Sequence, residues 1–236
     1  PRQARHVLVR DLAKASQALR MPIDHLDRPC ALYALYAGHG GPPAGGNACA
    51  DFAAKHMHEK LLLQLSEFRG LWDDDRLAAA MRWTFEALDS EFLERQAAGA
   101  LDSCAAAVAL VTGSRLVIAS AGDVACVLCC RSGEGAELFR PHVAAAAPES
   151  AGASRRLTRC FGDRDRKAAG GTGAQALVTP EVRVLQLQRE HLGLVLAYRP
   201  VVEALGSATF VAQALVRAGG RPRLAARTPA DATGET

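Results

Sequence analysis

The chain predicts an α+β fold on three observations. A strand-length apolar run at 31–36 leads into a Gly- and Pro-rich turn. Two long helical stripes follow it, and from residue 104 the pattern changes to short Val/Ala/Cys-rich runs split by glycines. With 236 residues, 49% hydrophobic and 22% charged, it has the composition of a globular protein with one large core.

The elements follow in order. Residues 1–30 are mixed and basic, with a helix predicted around Val9–Leu19 and breakers at Pro22 and Pro29. This segment stands apart from a domain placed at 31–227. After the turn at 38–46, Ala50, Ala54, Met57, Leu61 and Leu65 share one helical face. Asp73 and Asp74 suit the start of a second helix, whose stripe is Leu77, Met81, Phe85, Leu88 and Phe92. Cys104–Thr112, Leu116–Ala121 and Val124–Arg131 read as an antiparallel meander. Residues 140–154 read as loop, Val182–Leu187 and Leu192–Tyr198 as strands, and Ser207–Arg217 as a helix. The polar tail 228–236 is expected to be disordered.

Charge and cysteine content exclude some classes. A formal net charge of +3 gives no electrostatic footprint for nucleic acid. No run reaches the roughly 18 apolar residues needed to span a bilayer, so no membrane partner is expected. The seven cysteines are odd in number and mostly lie in apolar runs. Free, buried thiols in a reducing compartment, cytoplasm or nucleus, are therefore expected. Cys126, Cys129 and Cys130 lack zinc spacing: on a strand, positions 126 and 129 face opposite ways. His56 and His58, two apart on a helix, share no face and read as surface histidines.

Five segments in order carry a family resemblance. They are Ala37-Gly-His-Gly-Gly41 with the helix from Asp51; Ser103-Cys-Ala-Ala-Ala-Val-Ala-Leu110; Leu116-Val-Ile-Ala-Ser-Ala-Gly-Asp123; Leu157-Thr-Arg-Cys-Phe-Gly-Asp163; and Pro180-Glu-Val182 with Leu192–Ala197. Together they resemble the PPM-type (type 2C) metal-dependent Ser/Thr protein phosphatases. The resemblance implies an α-β-β-α sandwich of two antiparallel sheets flanked by helix pairs. In that family Mn or Mg activates the attacking water.

Position by position, the resemblance implies a degenerate site. Ala37 stands where the family has a metal-bridging Asp, ahead of Gly38 and His39. The family's Asp-Gly-Leu-Trp-Asp aligns with Arg199-Pro-Val-Val-Glu203, so a cation replaces one ligand. Asp123, Asp163 and Glu203 are the acids retained. The closing Asp-Asn motif has no counterpart; Gly219–Ala226 either replaces it or lies upstream of it. The family's N-terminal acid and Arg motif is unmatched, Asp11 being the nearest acid. Because Mg and Mn need several hard oxygens, no metal and no cofactor is expected. The implied function is a pseudophosphatase, an interaction or regulatory module whose protein partner is a kinase or phosphoprotein. The alternative is a divergent, weakly active phosphatase using Mn or Mg. Arg155, Arg156, Arg159, Arg164, Arg166 and Lys167, with Arg199, form a candidate patch for an acidic or phosphorylated peptide. Arg199 is also expected to pair with Asp123, Glu203 or both.

Overall fold

Three buried layers, each built by period-2 alternation on the strands, organise the molecule. A computed structural model describes residues 4–39, 47–97, 102–144, 157–168 and 177–219. The elements are β1 (Ala4–Val9), α1 (Leu12–Ala18), β2 (Cys30–His39), α2 (Asn47–Glu67), α3 (Asp74–Arg95), β3 (Ser103–Thr112), β4 (Arg115–Ala121), β5 (Val124–Cys130) and β6 (Gly135–Glu137). They continue with β7 (Phe161–Gly162), α4 (Arg164–Ala168), β8 (Glu181–Gln186), β9 (His191–Tyr198), α5 (Arg199–Leu205) and α6 (Ala208–Arg217).

One sheet has the order β1-β2-β3-β4-β8 with β7 beside β3; the other has the order β6-β5-β9. All of their strand pairs are antiparallel. On β3, Cys104, Ala106, Val108 and Leu110 pack under α2 and α3. Ala105, Ala107 and Ala109 face the layer between the sheets. On β5, Val124, Cys126 and Leu128 fill that same inner layer, while Ala125, Val127 and Cys129 pack against the α5–α6 side. This is the α-β-β-α sandwich with a helix pair outside each sheet.

The helices follow their stripes. Ala50, Met57, Leu61 and Leu65 are buried on α2, and all five predicted stripe residues are buried on α3. Asp73 caps α3, accepting from the Arg76 amide at 2.8 Å. Ser207 likewise caps α6.

Three expectations change, and one helix is added. Residues 4–30 belong to the first sheet and its core: β1 pairs with β2 from Ala4↔Ala37 to Val9↔Leu32, and Leu12 of α1 is fully buried. Val9 is therefore strand, and the helix starts after Asp11, which caps it through the Lys14 amide. The meander ends at β4, because β5 belongs to the other sheet. Gly122-Asp123 makes the crossing, with Gly122 at φ +96. A Cβ on Gly122 would lie 2.4 Å from the Ala105 Cβ, so only glycine admits this turn. Arg199–Leu205, carrying Pro200 in its first turn, is helical. His56 and His58 are half-buried, and His56 pairs with Glu59.

All seven cysteines are free thiols, six of them buried. Among the described residues no helix is long and apolar enough to cross a membrane. Residues 145–156 of the predicted loop, and the tail 228–236, lie outside the described residues.

Phe85 is fully buried and stacks on Phe161 at 4.9 Å, joining α3 to β7. Phe85→Ala should lower unfolding free energy by about 3–5 kcal/mol in urea titration, the usual cost of emptying such a site.

Candidate functional site

The register of the strands gathers the predicted residues at one end of the sandwich. Ala37, Gly38 and His39 finish β2, opposite Ala105, Cys104 and Ser103 at the start of β3. Asp123 sits at the crossing just after β4, where Ala121 pairs with Ala106. Val124 pairs with Tyr198, which brings Arg199 to the same place. Gly162, beside Ser103, delivers Asp163.

Ala37 is fully buried, flanked by Ala4 and Ala105, in the apolar layer that also holds Tyr198. His39 is the last residue of β2, not part of a turn. It is buried, and its carbonyl accepts from the Ser103 hydroxyl at 3.2 Å.

Arg199 is 7% exposed and Asp123 only 3%. The Arg199 Nε lies 2.9 Å from Asp123 Oδ1, and its Nη2 donates to Glu137 on β6. The second carboxylate is therefore Glu137, which no sequence signal marked; it follows a glycine-rich turn without periodicity. Glu203 is exposed, one turn into α5.

Asp163 has φ +60, rare for a residue with a side chain. Its amide donates to the Asp102 carbonyl at 3.1 Å, and its carboxylate pairs with Arg166 at 2.7 Å. Lys167 reaches Asp89 on α3 at 2.7 Å and donates to the Cys160 carbonyl at 2.8 Å. Asp89 also accepts from the Gly162 amide at 2.7 Å. Burial pushes the Asp89 carboxyl above its usual range, outweighing the downward pull of Lys167 and of the Gly162 amide. The signal for Asp89 was present in the sequence: an acid four residues after Phe85 and three before Phe92 lies on the apolar face.

The described cations of the basic cluster each have an internal partner. Arg159 donates to the Thr179 carbonyl, Arg164 to the Gln96 carbonyl, and Arg166 to the Leu157 carbonyl as well as to Asp163. Arg155 and Arg156 lie outside the described residues.

His142 completes the wall beside the crossing. Its Nδ1 accepts from the Gly122 amide at 3.2 Å, and its amide donates to the Gly122 carbonyl at 3.0 Å. Nε2 faces Glu181 at 3.5 Å. Burial first, then the Arg159 charge, hold its pKa below the ordinary value, against the opposing pull of Glu181. Among the described residues, no three His, Cys, Asp or Glu side chains converge to hold a metal ion.

With this geometry in place, comparison with known proteins defines the class. Residues 7–151 match the family model described as protein phosphatase 2C, and the chain belongs to that family. It is 33% identical over 126 residues to probable protein phosphatase 2C 57 of Oryza sativa subsp. japonica, covering 49% of this chain and 29% of that protein. Probable protein phosphatase 2C 2 of the same organism is 24% identical over 225 residues, covering 86% and 55%. The chain thus spans from about three tenths to just over half the length of these relatives. The crystal structure of serine-threonine phosphatase 2C from Toxoplasma gondii superposes with a TM-score of 0.63 at 14% identity. That superposition covers 93% of this chain and 85% of the other, a likeness of fold.

The His142 environment gives a signed pH dependence. A His whose folded pKa is depressed binds its proton more readily when unfolded. Its contribution is therefore intact above the unfolded pKa, about 6.5, and is lost as pH falls below it. The urea midpoint should drop more between pH 7.5 and 5.5 in wild type than in His142→Gln; equal drops would exclude His142 as the source.

Proposed function

We propose that this chain is a catalytically inactive phosphatase-like domain that serves as a protein-interaction or regulatory module in kinase and phosphatase signalling. The observation that carries the reading is Ala37, a methyl group at zero exposure inside the layer between the sheets. Two divalent ions need several hard oxygen ligands and coordinated water. A buried methyl provides none, and the space around it is filled by other apolar side chains.

Arg199 adds to the argument. A guanidinium about 4 Å from a bound dication would be repelled by roughly 8 kcal/mol at an effective dielectric of 20. Both carboxylates it contacts, Asp123 and Glu137, are already neutralising it. The residues present do not fit a pair of divalent ions, and the reading assigns the chain no cofactor. The proposed partner is a kinase or a phosphoprotein, met in the cytoplasm or nucleus. Because the described members of the basic cluster are tied to internal acceptors, recognition through that face would rest on Arg164, the exposed one among them.

The activity test is direct. Purified chain with p-nitrophenyl phosphate and a phosphothreonine peptide in millimolar manganese should release no phosphate above buffer. Turnover that EDTA removes and Asp123→Asn abolishes would instead establish a divergent metal-dependent Ser/Thr phosphatase. Affinity capture with mass spectrometry should recover a kinase or phosphoprotein; recovery of neither removes the partner half of the reading.

A further inference from the structure

Two thiols meet where α2 begins. Cys49 is the third residue of α2 and Cys104 the second of β3. Both are buried, and the Cys49 thiol donates to Cys104 Sγ at 3.3 Å. That is closer than the roughly 4 Å of ordinary side-chain packing. The chain holds the pair from both sides. Cys104 is fixed in the sheet, opposite Gly38 of β2 and Phe161 of β7. Two residues earlier, the buried Asp102 carboxylate accepts the amides of Ala48 and Cys49, which caps the first turn of α2 from another segment. The start of the helix is thereby pinned to the entry of β3, and the two sulfurs are carried into contact by that anchoring.

We propose that Cys49 and Cys104 form an oxidation site, which hydrogen peroxide converts to a disulfide that fits the native fold. A disulfide needs sulfurs about 2.0 Å apart, so the pair has only about 1.3 Å left to close. One sulfur, as thiolate, attacks the peroxide: the S–O bond forms, the O–O bond breaks, and the departing oxygen leaves as water. The second sulfur displaces the sulfenic oxygen: the S–S bond forms, the S–O bond breaks, and a second water leaves. Two thiols lose two electrons and two protons, and one peroxide becomes two waters. In the closed fold the pair is guarded. Burial first, then the contact with Cys104 and the charges of Asp102 and Asp89, push the Cys49 thiol well above its ordinary value. Oxidation therefore follows opening of the first turn of α2, and the bond then locks that turn to β3. This site stands whether or not the chain hydrolyses phosphate.

Whole chain treated with millimolar hydrogen peroxide, alkylated in denaturant and mapped by mass spectrometry without reduction, tests this. Two fewer than the seven cysteines should be alkylated, and a cross-linked peptide pair carrying Cys49 and Cys104 should appear. Dithiothreitol should remove it, and Cys49→Ala and Cys104→Ala should each abolish it. The linked chain should melt roughly 5–10 °C above the reduced one, because the bond joins residues 55 apart in sequence. Seven alkylated cysteines after peroxide, or oxidation confined to the half-buried Cys130, overturns the proposal. So does a linked chain that melts no higher than the reduced one, because the bond would then strain the fold. If neither variant folds, the wild-type map and melting temperature decide the matter alone.

Discussion

Two residues carry the chain from one sheet to the other, and the geometry of the whole end depends on that economy of length. Gly122 and Asp123 are all that separate β4 from β5. So short a passage forces the sheets close together and demands that whatever lies beneath it be small. The Cβ of Ala105 already fills the space that a side chain at 122 would need. Ala37 pairs with Ala105 from the next strand, so the floor of the crossing is methyl groups. The residue that follows the glycine is then held buried whatever its chemistry. Here it is an aspartate, and its burial obliges the fold to supply a positive partner.

Arg199 meets that obligation from the start of α5, just past the end of β9. A second buried pair works on the opposite side of the first sheet, where Lys167 binds Asp89 and fixes β7 against α3. Both pairs draw a cation from a short helix onto a buried aspartate, and both involve side chains less than about a seventh exposed. Removing one member of such a pair leaves a desolvated charge, so these links give the local structure one arrangement more than they add raw stability. This end is packed with methyl groups and closed by an ion pair.

Regular structure was legible wherever periodicity ran long enough. The stripes of α2 and α3, the strands β3, β4, β8 and β9 and the helix from Ser207 can all be read from spacing alone. β1 was not, because Ala4–Val9 alternates exposed and half-buried residues in a basic segment and only its pairing with β2 makes it a strand. The crossing was hidden for another reason: Gly-Asp between two apolar runs signals a turn, and a turn does not say which sheet the next strand joins. At the site, Asp123 and Arg199 could be set together by family likeness. Glu137 could not, since a three-residue edge strand has no pattern. Asp89 was visible in principle, as the one acid on an apolar helical face.

The buried thiols have a consequence of their own. Burial pushes Cys30 and Cys129 up to about 11 and Cys126 and Cys160 up to about 12. Thiolate, the reactive form, is thus nearly absent from the native state at neutral pH. These four cysteines are spread over both sheets and the segment before β7, so no single local opening exposes them together. Alkylation of all four in one molecule therefore needs more than one region of the fold to open, whereas the half-buried Cys130 lies outside this protection.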